Sequence, residues 1–225
     1  MLNEAKVRQL LEPFGLSLNA AQNGQVVAYL ELLLRWNEKI SLTSIRDPAE
    51  CVRRHFGESL YLGCCAELSG RLLDIGSGAG FPGLCLKIRF PELAVTLLEP
   101  VAKKRAFLKE AARVCGLSGV EVRRERLEEF AGGVGAAGAY ESATARAVGD
   151  LEALVPLASS CMKPGGRLFL WLSGTQARQI GYPAGAIRWV KSLPVPGGGR
   201  GEIWWAEKGV AEAGPEVETE VGGGV

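Results

Sequence analysis

The apolar positions of this chain follow two different periods. Up to about residue 70 they recur every three or four residues, the spacing of a helix face. Residues 2–12 and 20–38 read as amphipathic helices; within "VVAYLELLLRWNEKI", Val27, Leu30, Leu33, Leu34 and Ile40 fall on one side. A third helix is expected over "AECVRRHFGESLYLGCC", after a break at "SLTSIRDP" that carries Pro48. Beyond it the pattern changes to short apolar runs at 71–75, 94–98, 120–122, 142–145 and 167–172. Helical stretches such as "KKRAFLKEAARVCG" and "DLEALVPLASSCMKPGG" lie between these runs. Alternation of this kind predicts an α/β fold, a doubly wound and mostly parallel sheet with helices on both faces. Two late runs, "AIRWVKSLPV" and "EIWWAEKG", predict a terminal antiparallel hairpin, in whose strand Trp204 and Trp205 cover sheet edge and core. The stretch "AGGVGAAGAY" reads as a flexible loop, and "GVAEAGPEVETEVGGGV" as a disordered tail with few large apolar residues. The expected organisation is a helical extension over 1–68 packed on the core, an α/β core over 69–208, and an acidic, glycine-rich tail over 209–225.

Composition narrows the function classes. The chain has 225 residues, 47% hydrophobic and 23% charged, enough to bury a substantial core. No apolar run approaches the roughly 18 residues of a membrane helix, and "MLNEAKVRQLLEPFG" lacks the core of a secretion signal. A soluble, cytoplasmic protein is expected. Six cysteines and a single histidine, His55, show no metal-ligand spacing, so no metal site is predicted and the thiols are expected reduced, most of them buried. The net charge of +1 conceals an asymmetry: from Glu202 onward there are six acidic residues and one lysine, leaving about +6 on residues 1–201. Basic clusters at Arg53-Arg54-His55, Lys103-Lys104-Arg105 and Arg123-Arg124-Arg126 are possible phosphate contacts, although such clusters are commonly a solvated face.

The chemistry-bearing stretch is "LLDIGSGAGFPG", Leu72 to Gly83. A strand entering a glycine-rich turn and then a helix is a cofactor cradle, because glycine lets a ligand approach the backbone N–H groups at the helix start. Dinucleotide binders space the glycines G-x-G-x-x-G, and here Phe81 stands at the third position. A Walker loop would need a lysine that is absent from this register. The remaining pattern, Asp74, Gly76, Gly78 and Gly80, resembles motif I of class I S-adenosylmethionine-dependent methyltransferases. Glu99, some twenty residues on at the end of "AVTLLEP", can accept hydrogen bonds from both ribose hydroxyls. Leu127-Glu128, after the third strand, stands where such enzymes hold the adenine. The stretch "SATARAVGDL" after the fourth strand lacks the [D/N/S]-P-P-[F/Y] of exocyclic-amine methylation, and no cysteine lies between Cys115 and Cys161 to serve C5 chemistry. The acceptor is expected to have an available lone pair.

More specific segments accompany these. "RWNEKISLTSIRDP", "RRHFGES", "LLDIGSGAGFPG", "LLEPVAKKRAFLKEAA", "RLEEF" and "ARAV" occur in the order found in the bacterial small-subunit ribosomal RNA guanine-N7 methyltransferases, also called glucose-inhibited division protein B. The resemblance runs from about residue 20 to 207. It implies a seven-stranded class I fold and methyl transfer from S-adenosylmethionine to N7 of a guanine in 16S rRNA. It implies cofactor contacts at Gly76, Phe81, Glu99, Leu127, Glu128 and Arg146, to which the motif reading adds Asp74, Gly78, Gly80, Pro100 and Val101. Arg146, a candidate for positioning catalysis, is expected to touch the cofactor or a phosphate rather than a neighbouring carboxylate. RNA contacts are expected at Arg53, Arg54, His55, Lys103, Lys104, Arg105 and Ser173, with a structural hydrogen bond at His55 preferred over general-base catalysis. The expected partner is 16S rRNA or the small subunit, and the expected state a monomer. Three positions depart from the family pattern: Ser41 replaces asparagine, Glu58 aspartate, and Ser173 a lysine that faces substrate. These leave two alternatives open, a methyltransferase for another RNA position or a small molecule, and a non-catalytic cofactor-binding assembly factor.

Overall fold

The computed structural model of the chain describes residues 2–146, 149–173, 176, 187–197 and 201–209. Its first strand follows a run of helices: α1 (Glu4–Leu11), α2 (Ala20–Asn37), then α3 (Pro48–Cys51), a π-helical turn (Val52–Gly57), α4 (Glu58–Leu60) and α5 (Leu62–Cys65). The helix expected over 49–65 is therefore present but widened by one π turn. Such turns are frequent at functional sites because they re-aim side chains, and this one carries Arg53, Arg54 and His55. Gly57 ends it where the Phe14 ring packs so closely that a Cβ would collide. The long helix α2 starts at a capping box in which Asn19 and Gln22 satisfy each other's backbone N–H. Gln22 also donates to the Ile88 carbonyl, fixing α2 to the core.

The core alternates as its pattern predicts: β1 (Arg71–Ile75), α6 (Gly83–Arg89), β2 (Ala94–Leu98), α7 (Ala102–Val114), β3 (Val120–Arg123), α8 (Leu127–Ala131), β4 (Tyr140–Arg146), α9 (Leu151–Cys161), β5 (Met162–Ser173), β6 (Ile187–Pro194) and β7 (Gly201–Lys208). The strands form one seven-stranded sheet in the order β3-β2-β1-β4-β5-β7-β6. The first five are parallel, and the terminal hairpin of β6 and β7 joins β5 antiparallel. One boundary differs from expectation: "MKPGG" starts β5 rather than ending α9, since a glycine pair and a proline oppose helix.

Alternating side chains divide the core in two. Leu72, Leu97, Phe169 and Ile203 pack with α1, α2, α6 and α7. Leu73, Leu98, Leu170 and Ala206 pack with α8 and α9 on the other face. The helical extension thus shares one continuous hydrophobic cluster with the sheet. Trp205 lies against Phe169 and Trp204 edge-on to Trp189, both half-buried as expected. No helix among the described residues is long and apolar enough to cross a membrane. Residues 210–225, where the acidic tail is expected, lie outside the described residues.

Candidate active site

The loop after β1 is held from below, from the side and from above. Below it, parallel register sets Asp74 opposite Thr144, and the Thr144 hydroxyl donates to Asp74 Oδ1 at 2.8 Å. Asp74 is fully buried. Its Oδ2 faces Gly83 at the start of α6 and has no partner in hydrogen-bonding geometry among the described residues. Burial raises its pKa to about 6, against the hydrogen bonds of Ser77 and Thr144 and the nearby Gly83 N–H. From the side, Glu99 Oε2 accepts the Gly78 N–H at 2.9 Å while Oε1 accepts the Val101 N–H at 2.8 Å. From above, the Tyr29 hydroxyl donates to the Ala79 carbonyl. Gly80, at φ +85°, has no space for a Cβ between that hydroxyl and Leu84, whereas Gly78, at φ +58°, is open.

The Phe81 ring is packed into an aromatic cluster. It lies stacked between Tyr29 and His55, with Phe56 edge-on, and so joins the helical extension to the loop. Its peptide bond to Pro82 is cis.

Two cavities flank the carboxyl end of β4. The first, about 310 Å³, is lined by Ile75 and Gly76 after β1, Leu98 and Pro100 after β2, Glu125 to Glu128, and the start of α9. Leu127 and Glu128 therefore stand with Gly76 and Pro100, as their order in the chain predicts. Glu125 and Asp150 were not legible as lining residues. Glu125 is held by Arg123 and its pKa lowered to about 2; Asp150 caps α9 through the Ala153 N–H, a cap that the "GDL" before an apolar helical run could have signalled.

The second cavity, about 240 Å³, opens between β4, β5 and the π-helical turn, and Arg54, Glu58, Arg146, Trp171 and Ser173 are among its walls. Here Arg146 donates to Glu58 Oε2 at 2.7 Å and to Ser59 Oγ at 3.3 Å. Arg54 donates to Glu58 Oε1 at 2.9 Å. The Trp171 indole N–H donates to the Glu58 carbonyl at 3.0 Å. The structure therefore places Arg146 on a neighbouring carboxylate, the arrangement the sequence reading ranked second.

The basic candidates separate into two groups. Lys103 is exposed and Lys104 partly so at the start of α7, and Arg53 is partly exposed and paired with Glu50. Arg105 turns inward instead, donating to the carbonyls of Glu99 and Pro100 at 3.1 and 2.6 Å. His55 also turns inward: Nε2 shares a 2.7 Å hydrogen bond with Thr43 Oγ1. Burial, with Arg146 and Arg54 nearby, lowers its pKa to about 3. The imidazole is therefore neutral at physiological pH and held by Thr43.

Asp74 and His55 give opposite contributions to stability against pH. Between about pH 4 and 6 the folded state keeps a proton on Asp74 that the unfolded chain has released, so this group lowers stability as pH rises. Between about pH 3 and 6.5 the unfolded chain protonates His55 while the folded state does not, so this group raises stability as pH rises. Urea denaturation is expected to show a more positive slope of stability on pH for Asp74→Asn than for wild type across that window, and a less positive one for His55→Gln. Parallel curves for all three would refute both assignments.

Comparison with known proteins decides which family the site belongs to. A family model described as rRNA small subunit methyltransferase G matches residues 22–181. The chain belongs to this family. A family relative from Sorangium cellulosum is 44% identical over 75% of this chain and 71% of its own. One from Chloroflexus aggregans is 42% identical over 69% of this chain, which spans 66% of that relative's length. One from Xylella fastidiosa is 40% identical over 80% of this chain and 84% of its own. All three are named ribosomal RNA small subunit methyltransferase G. Among solved structures, the tRNA methyltransferase TrmI from Aquifex aeolicus superposes with a TM-score of 0.51 at 14% identity, over 67% of each chain. TYW2 of P. horikoshii, solved with MeSAdo, gives 0.52 at 13% identity over 68% of this chain and 62% of its own. These likenesses establish the class I methyltransferase fold for this family member.

Proposed function

We propose that this protein transfers the methyl group of S-adenosylmethionine to N7 of a guanine in 16S rRNA of the small ribosomal subunit, acting as a monomer in the cytoplasm. The observation that carries the reading is the pair of cavities on either side of the β4 tip in a chain of this family. The first fits the cofactor. Ile75, Leu98 and Leu127 form an apolar wall for a flat ring, and the space where a Cβ of Gly78 would stand is open. Glu99, buried next to Pro100 and not itself among the lining residues, keeps lone pairs beyond its two backbone bonds for ribose hydroxyls. When bound, the cofactor supplies an electrophilic methyl on a sulfonium. Asp74 and Thr144 then hold the loop's floor, and Tyr29 and Phe81 its roof.

The second cavity suits an acceptor that needs no base. Guanine N7 has an in-plane lone pair at neutral pH, so the enzyme's task is to position it. Glu58, held by two guanidinium groups, neutralises Arg146 where the ring becomes cationic. Arg53, Lys103 and Lys104 supply the surface for rRNA phosphates, which makes binding salt-dependent.

Incubation with labelled S-adenosylmethionine and small subunits lacking the modification, followed by nucleoside analysis, is expected to place the label in 7-methylguanosine, with transfer falling steeply as salt rises. Label in another nucleoside or in a small molecule would overturn the reading. Cofactor binding without transfer to any acceptor would point to an assembly factor instead.

A further inference from the structure

We propose that Glu58 is a specificity-determining residue that accepts the Watson–Crick edge of the target guanine. This deepens the proposed function and rests on it. The walls of the second cavity include Arg54, Glu58, Arg146, Trp171, Leu172 and Ser173, and Glu58 is its carboxylate among the described residues. Among the four standard bases, guanine alone presents two adjacent N–H donors, N1–H and the N2 amine, along that edge. Adenine and cytosine present a ring-nitrogen acceptor there, and uracil a single N–H between two carbonyls. A carboxylate accepts through two oxygens and cannot donate when ionised, so it matches guanine and repels the rest. Unpaired bases turned into protein pockets are read in this way, through hydrogen bonds on the Watson–Crick edge.

Glu58 is equipped for the task. Each of its oxygens takes one guanidinium donor, Arg54 on Oε1 and Arg146 on Oε2, so each retains an accepting position. The two ion pairs fix the carboxylate, and the Trp171 indole holds the same residue's carbonyl. A group so fixed binds without first being ordered. The side chain is only 12% exposed, which strengthens its hydrogen bonds relative to water.

The assignment also bears on rate. N1–H and the N2 amine lie on the side of the guanine away from N7, so docking that edge on Glu58 leaves N7 free for the methyl donor. As N7 turns its lone pair into a bond to the methyl carbon, its third substituent, the ring becomes cationic and N1–H more acidic. Hydrogen bonds from that edge to a carboxylate therefore strengthen toward the transition state, the condition for a contribution to kcat. Arg146 and Arg54 act through Glu58 as positioning residues.

The test uses inosine, which keeps N7, O6 and N1–H but lacks the N2 amine. The position methylated by wild type is mapped first, and small subunits are then reconstituted from 16S rRNA carrying guanosine or inosine there. Single-turnover transfer by wild type is expected to fall by about tenfold or more with inosine, the scale of one hydrogen bond to a charged group. For Glu58→Gln the guanosine rate is expected to fall and the inosine penalty to shrink to about twofold, with S-adenosylmethionine affinity by calorimetry near that of wild type. Glu58→Asp, which keeps the charge, is expected to retain most of the penalty. Equal wild-type rates on guanosine and inosine would overturn the proposal without any variant. So would an inosine penalty of the same size in Glu58→Gln as in wild type. Absence of 7-methylguanosine at the mapping stage would instead overturn the function itself, before inosine is introduced.

Discussion

Glu99→Ala is expected to weaken S-adenosylmethionine binding roughly 100-fold, about 3 kcal/mol, the scale of losing one or two hydrogen bonds to a charged acceptor. Two physical losses combine. The ligand loses a carboxylate that can accept from its ribose, and the empty site loses its shape. Glu99 is a side-chain link between the glycine loop and the end of β2, through the Gly78 N–H on one oxygen and the Val101 N–H on the other, beside the backbone bond from Ser77 N–H to the Leu98 carbonyl. Without it the Gly78 segment must be ordered when the cofactor arrives, and that entropy is taken from affinity. Glu99→Gln separates the two effects. Its amide oxygen can still accept from one backbone N–H, but its NH2 cannot accept from anything. Calorimetry is therefore expected to rank wild type above Glu99→Gln above Glu99→Ala, with the unfolding midpoint in urea changed much less than the affinity. Wild-type affinity in Glu99→Ala would remove this residue from the site.

What the sequence made legible follows from how each feature is encoded. The two strands beneath the site were visible at 71–75 and 94–98, and their observed limits coincide, because buried parallel strands are short, mostly apolar runs. The hairpin was visible because aromatic and β-branched runs flank a proline- and glycine-rich loop. The lining of the first cavity was visible as well: Gly76, Pro100, Leu127 and Glu128 are far apart in sequence but fall at the ends of successive strands, and one cavity collects them. Contacts between layers were not encoded locally. Nothing around Tyr29 indicates that its hydroxyl reaches Ala79, fifty residues away, or that its ring stacks on Phe81. Phe81 was read as a cofactor contact for its place in a motif, whereas its burial is set by an aromatic cluster assembled from three elements. Arg105 and His55 show the same limit. Each belongs to a basic run, yet one caps two carbonyls and the other is neutral beneath a ring stack. Charge in a sequence reports a side chain's identity, and only packing reports which way it turns.

Arg146→Ala tests the residue on which sequence and structure part. A guanidinium bound to a cofactor or phosphate would leave affinity lower and the fold nearly as stable as before. The structure instead sets Arg146 against Glu58, with side chains only 16% and 12% exposed. Removing one partner of a buried pair strands the other, at about 3–5 kcal/mol. Arg54 stays on Glu58 Oε1, which puts the expected loss near 3 kcal/mol, read as a lower urea midpoint at unchanged m-value. Cofactor affinity is expected to fall less than about threefold, far short of the change for Glu99→Ala, because Glu99 and the glycine loop remain intact. Methyl transfer is expected to drop much further, since Glu58 loses the contact that fixes it. Adding Glu58→Gln to Arg146→Ala is expected to recover part of the lost stability, because the stranded carboxylate is then gone. A 100-fold loss of cofactor affinity with an unmoved urea midpoint would reverse the assignment and return Arg146 to the cofactor.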